Sequence, residues 1–178
     1  VMGSGSNDKE KYSPLASRET LDHSAMYIFA VALEDGEWHH EKSNSDERKN
    51  RKETIELWNK IETFESERWN KKYYDEPDPL KKAQGAEVEI ILNDGEKIVD
   101  QLEFANAHPS GKTPFKRAGY INKMKPLFKD MVNNKEDVRF LNLVENLAKL
   151  EPEEVKQLNI SCDKNKINFE KNSIKGIF

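Results

Sequence analysis

One stretch of this chain admits few folds. Val88, Ile90 and Leu92 alternate with Glu87, Glu89 and Ile91; Asn93-Asp94-Gly95 follows, and Ile98, Asp100, Leu102 and Phe104 continue beyond it. Strand side chains alternate between faces with a period of two. Two such runs joined by an Asp-Gly turn read as a β-hairpin. The segments on either side carry helical spacing or turn residues. The expected class is therefore α+β: a small antiparallel sheet with a β-hairpin packed by helices, followed by C-terminal helices.

Upstream, residues 1–16 read as loop, punctuated by Gly3, Gly5 and Pro14. The fragment Gly3-Ser4-Gly5 lacks the third glycine and the preceding strand of a dinucleotide fingerprint. Ser17 is placed to cap a helix with Glu19 in its first turn. That helix is expected from about Arg18 to Glu34, stopping at Asp35-Gly36 with Gly36 as the C′ residue. Leu21, Ala25, Met26, Ile28, Phe29, Ala32 and Leu33 cover most of its circumference, which predicts burial. Thr20, His23 and Tyr27, spaced by three and four, would share a polar stripe.

Residues 41–53 read as a solvated charge run. Ile55, Trp58 and Ile61 suggest a short helix fading into a strand near 61–64. Residues 65–84, with Pro77 and Pro79, suggest a long connection with one short helix. Beyond the hairpin, Tyr120, Met124, Leu127, Phe128 and Met131 mark a helix that Pro126 should kink or split. Val138, Leu141, Val144, Leu147 and Ala148 mark a second, and Pro152 can open a short third. The tail after Asn159 is polar and irregular.

Composition limits what these elements can bury. Hydrophobic and charged residues each make up 35% of the chain, and even with glycine added the apolar share stays below the ~45–50% usual in globular domains. Either the ends are disordered, or some segments belong against protein that is absent. The formal charge is −4 with the signs interspersed, which predicts no broad basic surface and no nucleic-acid partner. The longest apolar run, Ile28 to Leu33, is too short to span a bilayer. Residues 1–10 lack the features of a signal peptide. Cys162 is the single cysteine, so no internal disulfide forms, and a cysteine-ligated cluster would need more thiolates. The expectations are a cytoplasmic protein with no membrane association and no metal.

Four places carry candidate chemistry. His23 can take or give a proton near neutral pH, and the Tyr27 hydroxyl can donate to a developing oxyanion. Arg18, close to Asp22, can hold a carboxylate in a bidentate fork. From spacing alone a structural alternative carries more weight: a satisfied His–Tyr hydrogen bond on a buried helix. His39-His40 reads as a surface turn, because adjacent histidines rarely aim at one metal. In His108-Pro109-Ser110-Gly111-Lys112, His108 and Lys112 can meet an anionic substrate, or the stretch is an ordinary loop. Trp38, Trp58 and Trp69 with Tyr73 and Tyr74 are too irregularly spaced for a stacking platform and fit core and anchor roles. Cys162 has no evident catalytic partner.

The string Ser17-Arg-Glu-Thr-Leu-Asp-His-Ser-Ala-Met-Tyr-Ile-Phe-Ala-Val-Ala-Leu-Glu-Asp-Gly36 resembles the signature of MmgE/PrpD proteins. Gly36-Glu-Trp-His-His40, Val88-Glu-Ile-Ile-Leu-Asn-Asp-Gly95 and Ala107-His-Pro-Ser-Gly-Lys-Thr-Pro-Phe115 are similar to later stretches of that family, in order. Lys175-Gly-Ile-Phe178 resembles a family terminus. Departures are modest: Ala25-Met26 stands where Leu-Pro or Ile-Met is common, and Pro126 interrupts a helix.

Between the loop at 1–16 and the irregular tail at 159–178, the resemblance implies an α+β lid domain over 17–112 and helices over 113–158 that return to a large helical domain absent from this chain. It implies loss of water from 2-methylcitrate to give 2-methylaconitate in propionate breakdown, with no metal or redox cofactor. Tyr27 would bond or transfer a proton at the substrate, while Arg18 and His23 would orient carboxylates or Tyr27 itself; His108 and Lys112 would join the anion contacts. The family's base-bearing residues lie in the helical domain, so no position here receives them. A homodimer and a small tricarboxylate substrate are the implied partners. Other activities on the same scaffold, such as decarboxylation of cis-aconitate or an epimerisation, remain open, as does a non-catalytic binding module with the lid fold.

Overall fold

The structure is a computed structural model that describes residues 5–129, 131–133, 135–162 and 165. The Lys175–Phe178 terminus and the Gly3-Ser4 pair lie outside the described residues. The elements are α1 (Arg18–Asp22), α2 (Ala25–Asp35), α3 (Asp46–Lys49), α4 (Lys52–Trp58), α5 (Glu67–Tyr74), β1 (Ala86–Ile91), β2 (Lys97–Leu102), α6 (Arg117–Phe128), α7 (Glu136–Glu145) and α8 (Pro152–Val155). Short 3-10 turns occupy Lys9–Tyr12, Lys42–Asn44 and Leu147–Lys149. The class is α+β with a two-stranded antiparallel sheet. The chain divides into two compact units between Pro77 and Asp78, inside the 17–112 stretch.

The first unit is built on Leu21, Met26, Tyr27, Ala30, Val31 and Trp58, with Tyr12, Trp38, Ile55 and Ile61 packed around them. Burying side chains of this size contributes about 1.5–3 kcal/mol each. The stretch read as an N-terminal loop holds this core together. The Lys11 carbonyl accepts from Trp58 Nε1 at 2.9 Å and from Ser24 Oγ at 2.8 Å. The Tyr12 hydroxyl donates to the Ile61 carbonyl at 2.6 Å. No strand forms at 61–64: Ser6 and Thr63 bond to each other through backbone amides and hydroxyls, so no ladder partner lies alongside.

The 41–53 charge run is not uniformly solvated. The Arg48 side chain is only 10% exposed and reaches Glu34 Oε2 at 2.7 Å and Asp35 Oδ2 at 3.0 Å, and it also donates to the Thr54 hydroxyl. Glu34 and Asp35 end α2, so this fork ties that helix to α3 and α4. A buried charge needs such partners to offset its lost hydration.

In the second unit the hairpin pairs Ala86 with Leu102, Val88 with Asp100 and Ile90 with Ile98. Gly95 adopts φ +90°, where a side chain would be strained. Leu92 N–H donates to the Glu96 carbonyl at 2.8 Å across the turn. Pro126 neither splits α6 nor stands at its centre: the helix runs to Phe128, two residues further. Met131 falls outside it. Pro152 opens α8 at its first turn, as its fixed φ favours. Neither strand has a buried residue, and neither do α6, α7 or α8. Tyr120, Val138 and Leu147 are each more than half exposed. A two-stranded hairpin and short helices leave apolar faces uncovered.

Candidate functional site

The helix expected over residues 18–34 is two helices. Ser17 caps α1 by accepting from Thr20 N–H at 3.1 Å. Ser24 then starts α2, accepting from Tyr27 N–H at 3.1 Å while donating to the Lys11 carbonyl. Serine is a strong N-cap because its oxygen satisfies an amide that has no intrahelical partner. His23 is left at the C-cap of α1, with φ −110° and ψ 15°. Thr20, His23 and Tyr27 therefore share no helical stripe, since the break changes the angular relation between them. Gly36 closes α2 in the left-handed region at φ +73°.

The break sends His23 and Tyr27 in different directions. Tyr27 is completely buried, its ring against Trp58 at 4.8 Å and edge-on to Trp38 at 5.9 Å. Its hydroxyl donates to the Ser43 carbonyl at 2.5 Å. Burial pushes its pKa up to about 12, with the Arg48 charge opposing and the nearby acids reinforcing that rise. In this arrangement Tyr27 is a core residue that presents no group at the surface. Nor does a His–Tyr hydrogen bond form: His23 is exposed and bonds through Nδ1 to the Glu19 carbonyl at 2.9 Å.

Arg18 stands on the outer side of α1, with its side chain 58% exposed. Its guanidinium donates to the His40 carbonyl at 2.8 Å, and Nε lies 3.6 Å from Asp22 Oδ2. Asn44 completes the brace, donating through Nδ2 to Asp22 Oδ1 at 2.7 Å and to the His40 carbonyl at 3.0 Å. The other Asn44 amide atom, Oδ1, is buried without a partner among the described residues. The fork is thus held at one corner by fixed groups while much of it still meets solvent. That geometry suits a bidentate anion.

His39 is a structural element of the adjoining turn. Its Nδ1 accepts from the Glu41 and Lys42 amides at 3.2 and 3.3 Å, and its ring stacks on His40 at 4.8 Å. Among the described residues no group of three His, Cys, Asp or Glu side chains gathers at metal-binding geometry.

In the second unit, His108 and Lys112 lie on one tightly folded loop. His108 N–H donates to the Ala105 carbonyl at 2.9 Å, Gly111 to His108 at 2.8 Å, Thr113 to Asn106 and Phe115 to Ala107 at 3.1 Å each. Ser110 Oγ donates to the Leu80 carbonyl at 2.8 Å. A Cβ on Gly111 would meet the Ala105 carbonyl oxygen at 2.2 Å and that of Asn106 at 2.6 Å, so glycine is required by close approach. The His108 ring stacks on Phe104 at 5.0 Å, and its Nδ1 accepts from Ser110 N–H at 3.0 Å. Lys112 is exposed. Arg18, His23 and Tyr27 thus belong to the first unit, His108 and Lys112 to the second.

Sequence reasoning missed Arg48, Ser43 and Asn44. Their decisive partners, Asp35 and Glu34 for Arg48, Tyr27 for Ser43 and Asp22 for Asn44, lie 13 to 22 residues away, and no periodicity marks such pairs. The model of the MmgE/PrpD C-terminal domain matches residues 4–149. The chain belongs to this family. The match reaches into both units and covers every residue of this candidate site, while α8 lies beyond it. Among the described residues no helix is long and apolar enough to cross a membrane.

Proposed function

We propose that this chain is the lid-bearing C-terminal part of a hydro-lyase that removes water from 2-methylcitrate. The observation that carries the reading is the Arg18 fork, braced by Asp22, Asn44 and the His40 carbonyl yet open to solvent, in a chain that belongs to the MmgE/PrpD family. A tricarboxylate needs cations already in place, because groups fixed before the reaction cost no reorganisation during it. Arg18 takes one carboxylate in a fork. His23, on the same unit at the α1–α2 break, works with it. No metal or redox cofactor takes part.

Dehydration removes a carbon-bound proton and a hydroxyl group as one water, leaving an alkene. It requires a base for the carbon and an acid for the oxygen. The base is assigned to a helical domain of the same protein that covers the exposed faces of α6 and α7. Tyr120 and Val138, with Leu147 in the turn after α7, are each more than half exposed and are the apolar contacts it would bury. The enzyme on this reading is a cytoplasmic homodimer.

The test is turnover of 2-methylcitrate by the enzyme assembled with its helical domain and by the 178-residue chain alone, followed by ultraviolet absorbance and product mass. Loss of water by the assembled enzyme alone is the expected result. Loss of carbon dioxide would move the chain to a decarboxylase activity, no reaction would support a binding module, and turnover by the chain alone would remove the need for a helical domain. Arg18→Ala should raise KM more than it lowers kcat, because it removes a ground-state carboxylate contact.

A further inference from the structure

The four histidines differ in what protonation would do to their hydrogen bonds. His39 Nδ1 accepts from two backbone amides, and His108 Nδ1 accepts from one. An amide N–H can only donate, so both rings carry their neutral proton on Nε2. Adding a second proton at Nδ1 would break the bonds that hold these loops. Among the described residues His40 has no ring bond comparable to these; its Nε2 lies 3.9 Å from Glu41 Oε1, beyond hydrogen-bond reach.

His23 is the reverse case. Its Nδ1 lies 2.9 Å from the Glu19 carbonyl oxygen, which can only accept. Nδ1 therefore carries hydrogen in both the neutral and the cationic ring, and the orienting bond survives either way. Nε2 holds the lone pair when the ring is neutral, and among the described residues no hydrogen bond occupies it. The ring is exposed at the break between α1 and α2. Arg18, Glu19 and Asp22 are the charged groups on its own helix. The N-terminal turn packed against α1 adds Lys9, Glu10, Lys11 and Tyr12; the turn at 42–44 adds Lys42 with Glu41 before it; and α2 adds Tyr27, Glu34 and Asp35.

We infer that His23 is the proton-transfer residue of this site, working through Nε2 while Nδ1–H stays anchored to the Glu19 carbonyl. The inference rests on the dehydratase reading and gives His23 the role that a buried Tyr27 cannot fill. The cationic ring gives its Nε2 proton to the departing hydroxyl, and the C–O pair leaves with oxygen as water. The neighbouring C–H pair becomes the double bond, its proton passing to a carboxylate or imidazole base of the helical domain. The neutral ring then regains a proton from solvent.

Two variants and one spectrum test this. His23→Asn keeps an N–H near the Nδ1 position, so it should retain the α1 cap and the melting temperature. It should still lower kcat by about 10²–10⁴-fold. His23→Ala should fall as far and recover part of its rate with added imidazole, a rescue that a purely structural role would not show. Near-wild-type kcat in His23→Asn, or a His23→Ala loss that imidazole leaves untouched, would overturn the inference. If the wild-type enzyme itself is inactive, the dehydratase reading fails on its own. Long-range proton–nitrogen spectra of the 178-residue chain then decide the His23 assignment: a neutral ring protonated at Nδ1 supports it, and one protonated at Nε2 overturns it.

Discussion

Replacing Tyr27 with phenylalanine separates a core role from a catalytic one. The ring keeps its contacts with Trp58 and Trp38, so no cavity opens. What is lost is the hydroxyl that donates to the Ser43 carbonyl, and Ser43 is itself only 2% exposed. A buried acceptor left without its donor costs about 1–3 kcal/mol. For a unit of this size about 2 kcal/mol corresponds to a fall of about 8–16 °C in Tm. Trp38, Trp58 and Trp69 all lie in the first unit. Tryptophan fluorescence in a urea titration therefore reports that unit alone, and the midpoint should drop with the slope unchanged. The wild-type chain should also lose stability as pH rises from 10 towards 12. There the unfolded tyrosine ionises while the folded one, held at about 12, does not. Tyr12, also raised by burial, adds to this loss, and Tyr27→Phe should remove only its own share. Turnover of the assembled enzyme should stay close to wild type below the melting transition. Unchanged stability with a fall of about 10²–10⁴-fold in kcat would refute the reasoning and return Tyr27 to the substrate.

Other consequences can be measured separately. Arg48→Ala should destabilise the first unit by about 1.5–3 kcal/mol in the same urea titration, because Glu34, 17% exposed, keeps among the described residues only its bond from the Thr54 hydroxyl. A loss under about 1 kcal/mol would class the fork with ordinary surface pairs. Gly111→Ala should cost about 1–3 kcal/mol through overpacking against the Ala105 and Asn106 carbonyls. Faster hydrogen exchange at the Thr113 and Phe115 amides would report it, since fluorescence does not sense that unit. Glu136 is held down to about 2, first by hydrogen bonds from Arg139 and then by the Ser161 amide. Its folded pKa is depressed, so its stabilising contribution is present above 4.5 and fades as pH falls from there towards 2. Protection of the Ser161 amide should fade over that window, and Arg139→Gln should weaken it already at neutral pH.

Local chemistry was legible in the sequence wherever a single residue satisfies its own neighbours. Ser17 as a cap, Gly36 as a left-handed stop, Asn93-Asp94-Gly95 as a turn and Pro152 as a helix opener act over a few bonds, and each stands where its spacing predicts. The family was legible too, because its motifs are contiguous strings. The break at Ser24 was not legible. Leu21 to Leu33 carries helical spacing throughout, and what stops the helix is the Lys11 carbonyl thirteen residues upstream, which accepts from the Ser24 hydroxyl. Apolar spacing places a residue near the core but says nothing of which hydroxyl a distant carbonyl will claim. That contact turns Tyr27 inward and leaves His23 outside. The same limit hid Arg48 in a charge run, since its acceptors are at the far end of α2. By itself the sequence determined the hairpin and its turn, the Ser17 cap, the Gly36 stop and the family, through interactions closed within a turn or a motif. The tertiary structure alone decided which of two neighbouring polar side chains is buried in the core and which is exposed, because buried carbonyls must find donors wherever the fold brings them.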